Sequence, residues 1–282
     1  MIVALTQQLA KRLLLLVLWT MATGWLITSP SAAGAAESTQ IDELKALEDP
    51  TILSRRVWCD TEWSKYRDGS SNIDETLGGL WVWRIATNQD WAIRLKLPYK
   101  WHLAGDDPND NDRDGIGDLK LATGSAWRLS EGWRAGGGVE LRLPTGKDEL
   151  SENVWKLQEF GAVAWDTTRW LTLSPSFEYN QSISEQRAAT TQHYLEIFFP
   201  VTFLLPLKWS VTTRYEAKVN FEDDNTWTHS AKLNLVKQLA TPPLGFGVSV
   251  KKPFNSGPKD FQVNFILTYY FRSQPGNTAG SR

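Results

Sequence analysis

The sequence is poor in cysteine and histidine: its 282 residues include one cysteine, Cys59, and three histidines. One cysteine cannot form a disulfide within the chain, and it excludes metal sites that need several thiolate ligands. A single cysteine on a strand most often serves as a small apolar side chain, and a reactive thiol is the alternative. We therefore expect no disulfide framework, no cofactor and no multi-cysteine metal centre.

The sequence also lacks a long apolar run. Its longest apolar segment, Leu13–Ile27, has about 15 residues, whereas a helix that spans a membrane needs roughly 20. The basic pair Lys11–Arg12 precedes this segment and the small residues Ala33–Ala35 follow it, which is the anatomy of a cleavable secretory signal. The sequence predicts a signal peptide over residues 1–35, with a membrane anchor as the alternative. Any later membrane crossing then requires a closed β-barrel.

No surplus of positive charge remains in the secreted part. Removal of residues 1–35 takes away two of the 30 basic residues and none of the 32 acidic ones, which leaves 28 basic residues against 32 acidic residues. This negative balance argues against a nucleic-acid partner. The 15 tryptophans are a heavy load for a soluble core, and they fit the interfacial aromatic belts of a membrane protein.

What the chain does contain is alternation of apolar and polar residues. In Trp209–Glu222 the odd positions are apolar or aromatic apart from one threonine, and the even positions are polar or charged. A strand separates these two sets onto opposite faces, whereas a helix would scatter them. Residues 91–101, 133–143 and 260–271 repeat the pattern. We predict twelve strands, at residues 54–67, 75–87, 91–103, 117–129, 132–145, 153–166, 169–181, 192–206, 208–222, 226–239, 243–254 and 260–271.

The connections between these strands are mostly long and short in turn. Odd-numbered connections, such as 104–116, are mostly longer and polar, and even-numbered ones, such as 87–90, are mostly tight. Outer-membrane barrels have long loops outside and short turns in the periplasm. We therefore predict an all-β fold, a transmembrane antiparallel up-and-down β-barrel of about 12 strands over residues 54–271. Residues 36–53 would form a mobile periplasmic leader or one short helix, and residues 272–282 a disordered tail.

Two motifs near the longest loop carry a resemblance to a known family. One is Gly115–Leu121, with the sequence G-I-G-D-L-K-L, and the other leads from Glu131–Arg134 to Leu143–Gly146, with the sequence L-P-T-G. Together with Trp91–Trp101, they resemble the outer-membrane transporters grouped as the MetA-pathway of phenol degradation family. The resemblance covers about residues 90–150. It implies an outer-membrane β-barrel that takes up small, often hydrophobic or aromatic, compounds, and it supplies no catalytic residues.

We therefore expect an outer-membrane channel or transporter for passive uptake of small solutes, with membrane lipid and a small-molecule solute as its partners. It would lie in the outer membrane of a Gram-negative-type cell, with both termini in the periplasm. The alternatives are a structural or adhesive barrel and, more weakly, an outer-membrane lipid hydrolase. We expect no enzymatic activity and no catalytic residues, because the adjacent His229 and Ser230 point to opposite faces of a strand and no G-x-S-x-G motif is present. The sequence leaves the oligomeric state open.

The polar face of the strands supplies the candidate site. If the face of Trp209 meets lipid, the opposite face lines the lumen and carries more basic than acidic residues. Fixed positive charge in a narrow channel favours anions, because the low-dielectric wall focuses the field. The alternative is that these charges pair across the lumen and plug it. The predicted lumen-lining residues are Arg94, Lys96, Lys100, Lys120, Arg134, Glu140, Arg142, Glu196, Arg214, Glu216, Lys218, Lys232 and Lys251.

The loop Asp106–Asp118 resembles part of a calcium-binding loop. Asp110, Asp112 and Asp114 fall at its first, third and fifth positions. Leu121 stands at the twelfth position, where such a loop needs a bidentate glutamate. A solvated acidic external loop is the alternative, and we therefore assign no metal ligand from this pattern.

Overall fold

The computed structural model describes residues 44–45, 49–105, 110–147, 150–185, 191–239, 241–254 and 258–271. All of these residues belong to one compact unit, Ser38–Arg282. The predicted signal peptide and the predicted tail lie outside the described residues, and so do residues 36–43 and 46–48 of the predicted leader.

Fourteen β-strands make up most of the regular structure in the described residues. They form where apolar and polar side chains alternate, because a strand then presents one apolar face and one polar face. The strands are β1 (Arg56–Tyr66), β2 (Ser71–Ala86), β3 (Gln89–Leu103), β4 (Arg113–Ile116), β5 (Leu119–Ser130), β6 (Trp133–Leu143), β7 (Val154–Thr168), β8 (Leu171–Leu173), β9 (Ser176–Glu185), β10 (His193–Leu205), β11 (Trp209–Asn220), β12 (Thr226–Gln238), β13 (Leu244–Pro253) and β14 (Lys259–Tyr270). In the same ranges, no helix is long and apolar enough to cross a membrane.

Antiparallel pairing joins these strands into a closed ring. β1 pairs with β2 on one side and with β14 on the other, and β10 pairs with β11, so the sheet closes on itself. β4 and β5 both pair with β3, and β8 and β9 both lie between β7 and β10. Each of these two pairs is therefore one barrel strand in two pieces. The barrel has twelve strands, and the predicted antiparallel up-and-down architecture is confirmed.

The two ends of the barrel differ in their connections. The tight connections share one end, which we call the turn end: residues 87–88, 131–132, 169–170, 206–208 and 239–243. The opposite end, which we call the loop end, carries connections that are mostly longer, such as 144–153. β1 begins and β14 finishes at the turn end, where Arg56 pairs with Tyr270. The predicted alternation of long and short connections is thereby confirmed.

The two faces of the barrel wall have opposite chemistry. Large apolar side chains project from the outer face, and Leu97, Val163, Phe199 and Phe265 are between 41% and 58% exposed. A surface this apolar is stable against lipid and would aggregate in water. Aromatic rings pair near both ends of the outer face, at Trp83–Trp91 and Trp133–Trp165 near the turn end and at Trp63–Phe261 and Tyr99–Trp101 near the loop end. These rings form the two belts that the tryptophan content predicts.

The last residues before β1 pack against the inner face of β6. Asp49 and Thr51 are 2% and 4% exposed. A Cβ atom at Gly136 would lie 3.3 Å from the carbonyl oxygen of Pro50, a tight contact, so the glycine eases the close approach of this segment. The sequence suggested a mobile leader, whereas residues 49–53 are held against the barrel wall. The reason is a set of ion pairs with distant strands, which local sequence does not reveal.

Candidate functional site

The charged residues proposed to line the lumen share one face of the sheet, and most of them form ion pairs. This face is the inner one, because its ion pairs join strands that are not neighbours, such as β3 with β6 and β11 with β13. Side chains meet over such a gap only on the concave side of a closed sheet. The ion pairs of these proposed residues fall into five groups, and three further lysines stand beside them.

The first group centres on Glu140, which is 4% exposed. Its Oε2 accepts a hydrogen bond of 2.8 Å from Arg94 Nη2 and lies 3.6 Å from Lys96 Nζ. The Arg94 guanidinium also lies 5.6 Å from the centre of the Phe160 ring. One buried carboxylate therefore serves two cations of β3.

The second group centres on Glu152, in the connection between β6 and β7. Glu152 pairs with Arg142, and its Oε2 lies 3.2 Å from Lys156 Nζ. Burial alone would raise the pKa of the Glu152 carboxyl, but Arg142 and Lys156 outweigh burial and lower this pKa to about 2. Lys156 also donates hydrogen bonds to Gln192 and to the hydroxyl of Tyr194, at 2.9 and 3.0 Å. Lys156 was not among the residues proposed from the sequence, because strand 153–166 alternates poorly.

The third group ties the leader to the wall through Arg134. Its guanidinium donates to Asp49 at 2.9 Å, to the hydroxyl of Thr51 at 3.2 Å and to Asp166 on β7. Lys45 adds an ion pair of 2.8 Å with Asp166. The alternation pattern predicts that Arg134 faces inward, but its partners Asp49 and Thr51 lie more than eighty positions upstream, where no local pattern indicates them.

The fourth group centres on Glu216, which is 5% exposed. Arg214 Nε donates to Glu216 Oε1 at 2.7 Å, and Lys251 of β13 pairs with Oε2. Ser230 Oγ donates to the same oxygen at 3.1 Å. This carboxylate again serves two cations, as Glu140 does.

The fifth group is looser, and three lysines lie apart from it. Lys218 Nζ lies 3.8 Å from Glu196 and 3.5 Å from the centre of the Tyr194 ring. Lys100 Nζ donates to the carbonyl oxygen of Leu150 at 2.9 Å. The remaining two lysines, Lys120 and Lys232, each lie between two other cations across the strands.

The inner face also carries acidic residues that sequence reasoning missed. Glu62 of β1 lies directly opposite Asp74 of β2, and Glu62 accepts hydrogen bonds from Gln262 and Ser64. Asp60, two positions earlier, accepts from Asn264 at 2.6 Å. The even-numbered positions of β1 share the inward face, and this pattern could have indicated Asp60 and Glu62. These acidic residues reduce the surplus of positive charge on which the expected anion preference rests.

The carboxylates of the calcium-type loop have separate protein partners. Asp110 contacts His102 Nε2 at 2.8 Å, and Asp112 accepts a hydrogen bond of 2.8 Å from the amide of Ala104. Within the described residues, no group of three or more histidine, cysteine or acidic side chains is placed to hold a metal ion. Residues 106–109 of this loop lie outside the described ranges.

The histidines do not form a dyad with a serine in the described residues. His229 Nδ1 lies 2.7 Å from the hydroxyl of Tyr215, whose side chain is 42% exposed on the outer face. Ser230, the next residue, donates to Glu216 on the inner face. His193 Nε2 lies 2.6 Å from the hydroxyl of Tyr179, again on the outer face. Within the described ranges, Ser230 is therefore directed away from the neighbouring His229, and these two residues do not act as a serine–histidine pair.

Comparison with known sequences identifies the family of this chain. The sequence pattern of the family described as "Putative MetA-pathway of phenol degradation" matches residues 67–211, just over half of the chain. The chain belongs to this family. The match confirms the resemblance seen at Gly115–Leu121 and Leu143–Gly146. No protein of curated function matches the sequence of this family member.

Solved outer-membrane structures share the architecture of this family member at low sequence identity. The COG4313 outer membrane channel from Pseudomonas putida F1 has a TM-score of 0.69 and 16% identity, covering 78% of this chain and 96% of that chain. The NanC porin has a TM-score of 0.54 and 11% identity, covering 78% and 100%. The translocator domain of autotransporter NalP from Neisseria meningitidis has a TM-score of 0.51 and 10% identity, covering 84% and 97%. At such identities the likeness establishes the barrel fold.

Proposed function

We propose that this member of the MetA-pathway family is an outer-membrane channel for passive uptake of small solutes. One observation carries the proposal: an apolar outer face with two aromatic belts surrounds an inner face of charged side chains. Charged groups inside a membrane-spanning wall face protein partners, water or a solute pathway, since exposure to lipid is costly. The name of the Pseudomonas putida structure, an outer membrane channel, agrees with this proposal.

The turn end faces the periplasm in this proposal. Outer-membrane barrels place their short turns there and their long loops outside. β1 begins and β14 finishes at the turn end, so the chain would enter and leave the barrel from the periplasm. The same orientation brings residues 49–53 into the lumen from the periplasmic side.

Small anions are the solute class that the inner charges favour. The wall from β3 to β7 carries Arg94, Lys96, Lys120, Arg142 and Lys156, and its acids are fewer. The acidic residues on β1 and β2 oppose this preference, so we expect it to be moderate. The pairing of most charges and the packing of residues 49–53 make the pathway narrow.

Small apolar or aromatic compounds are a second candidate class. A cavity between the leader and the inner wall is lined largely by apolar and small side chains, among them Leu53, Leu80, Ala92, Ala122 and Phe160. Such a lining suits an apolar ring better than a hydrated ion. The two classes differ in the charge that a solute should carry, so one experiment separates them.

Reconstitution of the purified protein tests the proposal. In planar bilayers under a salt gradient, we expect single-channel conductance and a reversal potential that indicates moderate anion preference. Liposome swelling with solutes of graded size and charge should show faster entry of small anions than of matched cations. Faster entry of neutral aromatic solutes would favour the second class. A protein that is folded but neither conducts nor supports swelling is not a channel.

Two other functions fit the fold less well. A structural or adhesive barrel would bind a partner through its loop end and would give no swelling. A lipid hydrolase needs a serine beside a histidine, and the polar contacts seen for the histidines within the described residues are with asparagine, aspartate or tyrosine. We therefore propose that the protein is not an enzyme. Phospholipid hydrolysis that His102→Ala or His229→Ala abolishes would contradict this.

A further inference from the structure

A row of four cations crosses the inner wall from β3 to β7. Strand pairing sets Lys96 opposite Lys120, Lys120 opposite Arg142, and Arg142 opposite Lys156. Directly opposed residues in an antiparallel sheet have Cβ atoms about 4.5–5.5 Å apart, and like charges at such positions are destabilising. The row therefore weakens the fold unless anionic groups lie beside it.

Two glutamates supply part of the required negative charge. Glu140 lies 3.6 Å from Lys96, and Glu152 pairs with both Arg142 and Lys156. Each glutamate serves two cations, since Glu140 also binds the arginine two positions before Lys96. The row and its neighbour on β3 thus hold five cations against two carboxylates. These pairs include Lys96, Arg142 and Lys156 and leave Lys120 without an ion pair.

Lys120 is attracted by Glu140 and Glu152 from beyond ion-pair distance and has no closer partner among the described residues. Its ammonium group has three donors, and neither a hydrogen bond nor an ion pair to a described residue uses them. Beside it on β6, the Nε of Arg142 is buried and also lacks an acceptor in the same ranges. Asp60 and Glu178 act on Lys96 from further away. Two unsatisfied donors therefore lie on adjacent strands of the lumen wall.

The same construction recurs on the opposite wall. Arg214, Lys232 and Lys251 lie opposite one another across β11, β12 and β13. Glu216 pairs with Arg214 and Lys251, and Lys232 between them has no hydrogen bond or ion pair to another described residue. β5 and β12 are six strands apart in a ring of twelve, so Lys232 stands across the lumen from Lys120. Each wall thus has one lysine that lies between two cations and forms no ion pair. This repetition indicates that these lysines bind a group from outside the chain.

We propose that the row from β3 to β7 is a binding subsite for the carboxylate group of a small organic acid, with Lys120 as its contact residue. The inference rests on the proposed function, because it names the solute class of that same channel. One carboxylate matches one unpaired ammonium in charge. Its two oxygens accept hydrogen bonds from Lys120 Nζ and Arg142 Nε, and charge-assisted bonds of this kind are strong.

Calorimetric titration of the purified, detergent-solubilised full chain with benzoate tests the subsite. Benzamide has the same ring without the charge and serves as the neutral probe. The wild type should bind benzoate more tightly than benzamide. Lys120→Gln should weaken benzoate binding about tenfold, which is the effect of losing one hydrogen bond to a charged group. Lys120→Arg keeps the charge and should retain most of the affinity.

Lys252 provides the matched control, since it is an exposed lysine that pairs with Asp260 near the loop end of β13, away from the row. Lys252→Gln should leave benzoate affinity unchanged. Lys120→Gln relieves repulsion in the row, so it should fold, and a heat-dependent shift in gel mobility checks this. Equal benzoate affinity in the wild type and Lys120→Gln overturns the proposal, as does a wild type that binds benzoate no better than benzamide. Failure of the channel proposal alone gives a different result. The wild type would bind benzoate and Lys120→Gln would not, but the wild type would give no conductance.

Discussion

Tyr215 and Lys218 lie three positions apart on β11 and on opposite faces of the barrel wall. Tyr215 is 42% exposed on the outer face, where its ring stacks with His229. Lys218 lies on the inner face, beside Glu196 and over the ring of Tyr194. Tyr215 faces lipid and Lys218 faces charged groups, so a change of charge should affect assembly at Tyr215 and ion selectivity at Lys218.

Tyr215→Lys should therefore impair assembly, whereas Lys218→Glu should not. A lysine near the midplane of the lipid-facing surface costs about 2–4 kcal/mol of folding free energy. Lys218→Glu sets a second carboxylate opposite Glu196, which costs at most about 1 kcal/mol, so it should still assemble and should shift the reversal potential. Urea titration in lipid vesicles measures the first effect, and planar-bilayer recording measures the second. If both variants assemble equally well, the assignment of inner and outer faces is wrong.

Glu152 makes stability depend on pH. Its pKa is lowered from 4.5 to about 2 in the folded protein, because Arg142 and Lys156 outweigh the effect of burial. A carboxyl with a lowered pKa stabilises the folded state above its ordinary pKa, and this stabilisation is lost as the pH falls from about 4.5 towards 2. The shift corresponds to at most about 3 kcal/mol.

Glu152→Gln should therefore be less stable than the wild type at pH 7 and should differ from it less at pH 3. The free energy of unfolding, from urea titrations at both pH values, checks this. Glu131→Gln, in the tight turn before β6, changes the same chemical group away from this pair and serves as control. A stability difference between wild type and Glu152→Gln that is the same at both pH values would rule out the linkage.

At the scale of elements, the strands were predictable and their partners were not. Alternation is a local property, so the twelve strands and the sorting of their connections follow from sequence alone. Ion-pair partners depend on the stagger between strands, which no local pattern specifies. β1 illustrates this, because Trp58 interrupts the polar inner positions and hides Asp60 and Glu62 from a search for clean alternation. The local sequence pattern also does not reveal the division of β8 from β9 or the docking of residues 49–53, because both depend on contacts between distant parts of the chain.

Arg134 should control the width of the pathway, because it is the main anchor of residues 49–53. Its guanidinium is 14% exposed and binds both Asp49 and Asp166. Arg134→Gln removes these pairs while the strand pairing of β6 stays intact, so the leader should detach and single-channel conductance should rise. Arg128→Gln is the control, since Arg128 pairs with Asp90 on the inner face and not with the leader. Unchanged conductance in a folded Arg134→Gln protein would show that the leader does not narrow the pathway.

For the whole molecule, the inner charges alternate in sign around the ring. Glu62 opposes Asp74 across β1 and β2, and Glu178 opposes Glu196 across β9 and β10. Between these acidic patches lie the cationic rows of β3 to β7 and β11 to β13. Each patch lies six strands from another of the same sign. A solute in the lumen thus meets fields that run across the channel, and net ion selectivity is the small difference between them.

Neutralising one patch should therefore shift selectivity in a direction set by its sign. Glu62→Gln with Asp74→Asn removes two negative charges, so the reversal potential under a salt gradient should move towards stronger anion preference. Lys96→Gln with Lys120→Gln removes two positive charges and should move it towards cations. Like-charge repulsion falls in both double variants, and Arg94 still binds Glu140 when Lys96 is replaced, so neither should impair folding. Shifts of the same sign, or none in variants that still conduct, would mean that the permeating ions do not pass these side chains, and the pathway would then lie elsewhere than along the inner wall.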